Sequence, residues 1–267
     1  MAQWLNVGKW LGVNVDGGFS GRRGGVSRGS FESLNVGLHV PDQPTDVLHN
    51  RALVAKLLSI PPARVTYAQQ VHGKAVAVVD RRLEGRGAFD HADALPGVDA
   101  MVTRERNMAL AVLTADCVPL LLADSRGAVA AVAHAGWRGA AEGVVSATIH
   151  AMEDLGAEPM NIRAVIGPAI RGCCYEVDLP VIRAVTTAYR RFSHDADAPD
   201  LPRSARSIGA VMLDLPTLCI HELLSLGVHS AHILDTSVCT SCMDGYFSHR
   251  RDHGVTGRQG GFICLRE

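Results

Sequence analysis

The chain has 267 residues, 47% of them hydrophobic, with 26 lysines and arginines against 27 acids. That is enough apolar material for a sizeable core within one domain spanning residues 1–267, and the balanced charge excludes bulk attraction to nucleic acid or to an anionic membrane surface. No basic segment leading into an apolar one opens the chain and no uncharged run is long enough for a membrane span, so a cytoplasmic location is expected. Seven cysteines, unevenly spaced, point to thiols, a metal ligand or a redox pair rather than a disulfide framework.

Residues 16–35 alternate six glycines with Arg22, Arg23, Arg28 and several serines, as in a loop that brings backbone close to a ligand, with a solvated loop as the alternative. Thr45 is placed to cap a helix carrying Val47, Val54, Leu57 and Leu58, ended by Pro61 and Pro62. Residues 64–69 and 75–79 read as strands around the turn Gln69-Gln70-Val71-His72-Gly73, which predicts a hairpin. Residues 80–97 read as loop. Residues 109–113, 120–123 and 128–133 are short apolar runs, the last two joined by the turn Asp124-Ser125-Arg126-Gly127. One amphipathic helix is expected from Ala141 to Leu155, then a strand at residues 162–166. A helix with Ile182, Val185, Tyr189 and Phe192 on one face follows Asp178, and Asp214 caps another with Leu218, Cys219, Leu223 and Leu226. Interleaved strands and helices give an α/β or α+β class, and the hairpin-type connections argue against a purely parallel sheet.

His72, Cys117 and His134 each stand at the end of an apolar run. Two imidazoles and a thiolate suit zinc, and three protein ligands leave a fourth position for water or a substrate oxygen. A core thiol and hydrogen-bonded histidines are the bland alternative, weakened by Gly73, Gly136 and Gly139, which let backbone crowd the site, and by Trp137 and Arg138, a stacking face and an anion clamp. Cys239 and Cys242 have the spacing of half a structural zinc site or a redox pair, but without a second such motif they read as reduced thiols in a turn. Cys173 and Cys174 are adjacent, a poor arrangement for ligating one ion together. Arg250, Arg251 and Arg258 lie among glycines near the end of the sequence, like the arginines of the first loop.

Residues 25–29 match G-x-S-x-G, but Gly21-Arg22-Arg23-Gly24 cannot be the buried strand a hydrolase elbow requires. The zinc-deaminase signature is absent, as are a P-loop and a dinucleotide fingerprint.

Five ordered motifs carry a resemblance: QQVHG at residues 69–73, TADC-P at 114–119, AHAGWRG at 133–139, IGPAI..CCYEV at 166–177, and FSHRRD...TGRQ at 247–259. With R-x-GGVS at 22–27 and SLNVGLHV at 33–40, they span almost the whole chain. The sequence resembles the YfiH, or laccase-domain, family of purine nucleoside phosphorylases. His249 stands where an aromatic residue is common and Gly21 where threonine is; neither touches the trio. The resemblance implies a single-domain α-β-β-α sandwich with mixed sheets, and zinc on His72, Cys117 and His134, with copper as the older assignment. It implies phosphorolysis of adenosine, inosine and methylthioadenosine, together with adenosine deamination. A bacterial member is implicated in peptidoglycan editing, removing serine from a UDP-muramyl precursor, and older usage makes the family a polyphenol oxidase.

Blue-copper oxidase chemistry needs about ten imidazole and thiolate ligands, usually with His-x-His pairs. Twelve histidines are present, and no two are separated by a single residue. The expectation is a zinc-dependent purine nucleoside phosphorylase and adenosine deaminase acting on a nucleoside and phosphate. The trio and Asp116 are the catalytic candidates, with Glu176 a second candidate for the proton. Arg22, Arg138, Arg250, Arg251 and Arg258, with Trp137 and Glu176, are candidates for holding substrate or phosphate. An editing amidase using the same zinc water or Cys117 as nucleophile, a copper oxidoreductase and a non-catalytic nucleotide-binding module are the alternatives.

Overall fold

The computed structural model describes residues 1–126, 128–192, 203–207 and 210–267. Two sheets packed face to face form its centre. In the first, five strands lie in the order Trp4–Asn6, Val15–Ser20, Gln259–Leu265, Ala109–Thr114 and Val65–Thr66; in the second, six lie in the order Ile233–Asp235, Ile162–Ile166, Val118–Asp124, Ala130–Ala135, Ala100–Thr103 and Val76–Val78. Both sheets are mixed, with antiparallel centres and parallel pairs at three of their four edges, the pair of Trp4–Asn6 with Val15–Ser20 being antiparallel.

The period-two alternation of a strand explains the layering. Leu110, Val112 and Ile263 of the first sheet face Leu121, Ala123 and Val132 of the second. On the outer side of the first sheet, Ala111, Leu113 and Phe262 pack against Val54 and Leu58, from and just after the helix Pro44–Leu57. On the outer side of the second, Leu120, Leu122 and Ala133 meet Val145, Ile149, Val185 and Leu218, from the helices Val144–Asp154, Leu179–Phe192 and Leu215–Ser225. Each central strand is buried on both faces, which is why residues 109–113 and 120–123 read as continuous apolar runs. The layers run helix, sheet, sheet, helix, in a mixed α/β domain as expected.

Four local expectations are corrected. Residues 64–69 and 75–79 do not form a hairpin: Val65–Thr66 runs parallel to Ala109–Leu110, Ala68–Gln69 parallel to Leu95–Pro96, and Val76–Val78 parallel to Ala100–Val102. The turn between them is shaped by a distant side chain instead of by strand register. The first long helix starts at Pro44 with Gln43 before it, so proline in the first turn, not Thr45, sets its start. The helix expected from Ala141 to Leu155 is two, Trp137–Glu142 and Val144–Asp154, divided at Gly143 with φ +94°. Asp214 precedes its helix without capping it and pairs with Arg171 at 3.3 Å. Gly127, in the turn after Asp124, lies outside the described residues.

Candidate metal centre and its cleft

Strand register brings the trio together. Ala130–Ala135 pairs antiparallel with Val118–Asp124, placing His134 opposite Pro119 and Ala135 opposite Val118, so the next residue outward on the partner strand is Cys117. On the other side Ala133 pairs with Ala100, which sets Asp99 beside His134. Val76 also pairs with Ala100, and the chain leading into it carries His72 to the same end of the sheet. The ligand atoms of His72, Cys117 and His134 all lie within 4.8 Å of one another. The two imidazoles meet edge to face, with centroids 4.8 Å apart.

Backbone and carboxylates fix this arrangement. Asp99, fully buried, accepts from the backbone N–H groups of Val71, His72 and Gly73 at 3.1, 2.9 and 2.7 Å. Its Oδ1 lies 2.7 Å from His134 Nδ1, which leaves Nε2 of that ring as the free ligand atom. His72 has φ +63° and Asp116 φ +96°, left-handed values unusual outside glycine. Gly136 is required by space: a Cβ there would sit 2.7 Å from His72 Cδ2 and 3.3 Å from Cys117 Sγ. Burial pushes the Cys117 thiol up, but the adjacent His134 and His72 outweigh it and bring it down to about 6. Burial pushes His134 down, yet Cys117 and Asp99 raise it to about 9. Without metal these residues therefore favour a thiolate beside an imidazolium.

The trio opens onto a cavity of about 500 Å³, a volume suited to a small-molecule ligand. Asp116, Tyr175, His39, His249, Arg250 and Arg258 line it with the trio. Asp116 accepts from Thr240 Oγ1 at 2.6 Å and from the Arg250 backbone N–H at 2.7 Å, so both its oxygens are engaged. Enclosure, and then the neighbouring Arg258, His91 and Arg51, push His39 down to about 4, keeping it neutral. Burial pushes the Tyr175 hydroxyl up to about 12, so it stays a donor.

The family described as multi-copper polyphenol oxidoreductase laccase matches residues 16–266. The chain belongs to this laccase-domain family. It is similar to the purine nucleoside phosphorylase YlmD of Geobacillus stearothermophilus, 40% identical over 99% of this chain and 95% of that protein. A purine nucleoside phosphorylase of Streptomyces coelicolor is 44% identical over 93% of this chain and 94% of its own length. Among solved structures, YlmD from Geobacillus stearothermophilus superposes with a TM-score of 0.93 over 99% of this chain and 97% of that one, at 39% identity. A Bacillus licheniformis protein entitled hypothetical protein YfiH gives 0.92 over the same shares, at 35%.

Within this laccase-domain chain, the predicted arginines divide. Arg250 and Arg258 border the cavity; Arg250 stacks over Tyr175 at 5.3 Å and donates to the Glu176 carbonyl. Arg22 lies over the Phe247 ring, 3.6 Å from Asp252, and donates to the Glu32 carbonyl. Arg251 donates to the carbonyls of Thr240, Met243 and Tyr246 and pairs with Asp252. Neither Arg22 nor Arg251 lines the cavity. Trp137 and Glu176 border a second hollow that shares Tyr175 and Arg250 with the first, and Arg138 stacks on Trp137 at 4.5 Å.

Sequence reasoning missed Asp99, Gln70, Tyr175 and His39. Gln70 both donates to and accepts from the Leu113 backbone, holding the His72 turn to the strand that leads to Cys117. A signal for Asp99 existed, an acid immediately before the apolar residues 100–102, but nothing local connected it to His134.

Proposed function

We propose that this chain is a zinc-dependent purine nucleoside phosphorylase with a subsidiary adenosine deaminase activity. The observation that carries the reading is the convergence of His72, Cys117 and His134 at the wall of a nucleoside-sized cavity bordered by Arg250 and Arg258. The names of the relatives support the phosphorolytic part. The donor set, two imidazoles and a thiol disposed to ionise, fits zinc, which would supply Lewis acidity at that wall. Among the described residues, two clusters of three or more potential ligands occur, one of two histidines and a thiol and one of four thiols. Together they hold two histidines and five thiols, not the roughly ten ligands, usually with His-x-His pairs, that a multicopper oxidase needs.

In this reading the chain's own groups bind and orient. Arg250 and Arg258 offer guanidinium N–H groups to phosphate oxygens and hold the anion against the ribose C1′, so that the C1′–N9 bond breaks as the C1′–O bond forms. Asp116 already accepts two hydrogen bonds and stays an acceptor, suited to a ribose hydroxyl or a purine N–H. Tyr175 remains protonated and donates. Purified protein given adenosine and phosphate should yield adenine and ribose 1-phosphate, with some inosine that does not depend on phosphate. Cys117→Ala should abolish both. Adenine formation without phosphate, or full activity in Cys117→Ala, would overturn the reading.

One observation favours a second reading. Cys117, His134 and Asp99 are linked in the order thiol, imidazole, carboxylate, the order of a cysteine-nucleophile triad. An editing amidase would use it to cleave serine from a UDP-muramyl precursor, and release of serine from that substrate separates the two.

A further inference from the structure

Four of the remaining cysteines come from two segments distant in sequence and meet in space. The Sγ of Cys242 lies 3.5 Å from that of Cys173 and 3.3 Å from that of Cys174, and with Cys239 the four sulfurs all lie within 4.8 Å of one another. Adjacent cysteines converge here because the chain turns tightly: the N–H groups of Cys174 and Tyr175 both bond to the Arg171 carbonyl at 2.9 Å. The Cys239 to Cys242 segment is a second turn, closed by the Met243 N–H on the Cys239 carbonyl, and the backbone N–H groups of Arg171 and Cys242 approach the Cys239 sulfur.

We propose that Cys173, Cys174, Cys239 and Cys242 bind a structural zinc ion, separate from the His72, Cys117 and His134 centre. Zinc–sulfur bonds of about 2.3 Å in a tetrahedron place the sulfurs about 3.8 Å apart, a spacing the observed range brackets. A disulfide needs about 2 Å, and it pairs sulfurs two by two. Here Cys242 is approached by more than one sulfur, the relation of tetrahedron vertices. Cys239 is buried while Cys173 and Cys242 are exposed, so a metal has an entry path and a fixed inner ligand.

The ion would clamp two loops that serve the cavity. The first carries Ile170 and Tyr175 to its lining, and the second carries Thr240, whose hydroxyl holds Asp116. Beside this cluster, the two segments are joined by the bridge of Ala169 with Cys239, by the bonds from the Thr240 N–H to the Ala169 carbonyl and from the Ala169 N–H to the Val238 carbonyl, and by the ion pair of Arg171 with Asp235 at 2.9 Å.

Metal analysis tests the proposal independently of any activity. The Cys117→Ala protein, purified from zinc-replete cells under reducing conditions, should retain one equivalent of zinc. Adding Cys242→Ser, an exposed position, should remove it. Refilled with cobalt, the Cys117→Ala protein should show the intense sulfur-to-cobalt charge transfer and tetrahedral ligand-field bands of a tetrathiolate. A chelator should lower the melting temperature of Cys117→Ala but not of Cys117→Ala/Cys242→Ser. A Cys117→Ala protein that is folded by circular dichroism yet holds no zinc and gives no thiolate cobalt spectrum would overturn the proposal. So would zinc retained at one equivalent in the double variant, or a disulfide among these cysteines in freshly purified protein.

Discussion

A carboxylate that accepts three N–H bonds from one turn and a fourth bond from a ligand imidazole couples two parts of a site, as Asp99 does for the His72 turn and His134. The left-handed backbone at His72 costs about 1–2 kcal/mol, and the Asp99 bonds offset it. In Asp99→Asn one acceptor oxygen becomes an N–H donor facing other donors, and the His134 ring loses its charged partner. Metal affinity should fall about 10–100-fold, read by competition with a chromophoric chelator. Unchanged affinity would reduce Asp99 to a bystander. Gly136→Ala acts on the same turn through space, since its methyl would stand 2.7 Å from the His72 ring. That variant should lose the metal with little loss of helix or strand signal in circular dichroism, and full metal content would show that the turn can shift to accept it.

The helix Val144–Asp154 begins at a glycine with no side chain to cap it, and the missing acceptor comes from another helix. Glu222, fully buried on Leu215–Ser225, takes the Ser146 N–H at 2.9 Å and the Ser146 hydroxyl at 2.6 Å through Oε1. One carboxylate thus satisfies an N-terminal N–H and ties two helices on the outer face of the second sheet. Glu222→Ala leaves that N–H buried and unpaired and should cost about 2 kcal/mol by denaturant unfolding. Burial pushes the Glu222 carboxyl up, only partly offset by Ser146, and Oε2 has no partner. A group whose pKa is raised on folding favours the native state below its unfolded pKa, and that contribution is lost as pH rises through the folded value. Glu222→Gln keeps the acceptor without the charge, so its stability relative to the parent should improve as pH rises from 4 towards neutrality. A difference that does not change with pH would mean that Glu222 is already charged without penalty.

Across the whole molecule, what could be read from the sequence follows how local its cause is. The central strands are legible because both of their faces are buried, and Cys117 and His134 because they stand at the ends of such strands, whereas His72 lies in a turn. Pairing of the segments on either side of His72 is not legible, since the turn between them answers to Asp99, 26 to 28 residues away. The four-thiol cluster is illegible because adjacent cysteines converge only in a tight turn, and their partners lie nearly 70 residues on. The arginines look alike in sequence, and what separates them is that Arg250 and Arg258 line the cavity while Arg22 and Arg251 pair with Asp252 away from it. Arg22 and Arg251 converge on Asp252, so this carboxylate joins the glycine-rich loop near the start of the chain to the last loop before the strand Gln259–Leu265. Burial pushes the Asp252 carboxyl up, but Arg251, Thr256 and Arg22 outweigh it and hold it below the usual carboxylate value. A carboxyl depressed on folding contributes stability above its unfolded pKa of about 3.9 and loses it as pH falls through the folded value. Asp252→Asn should therefore cost about 1–2 kcal/mol at neutral pH, where charge-assisted bonds are lost. In urea unfolding repeated from pH 7 downward, the gap between parent and variant should hold constant to about pH 5 and close below about pH 4. A gap that persists into acid would place the cost in packing, and the two loops would then be joined by shape instead of by charge.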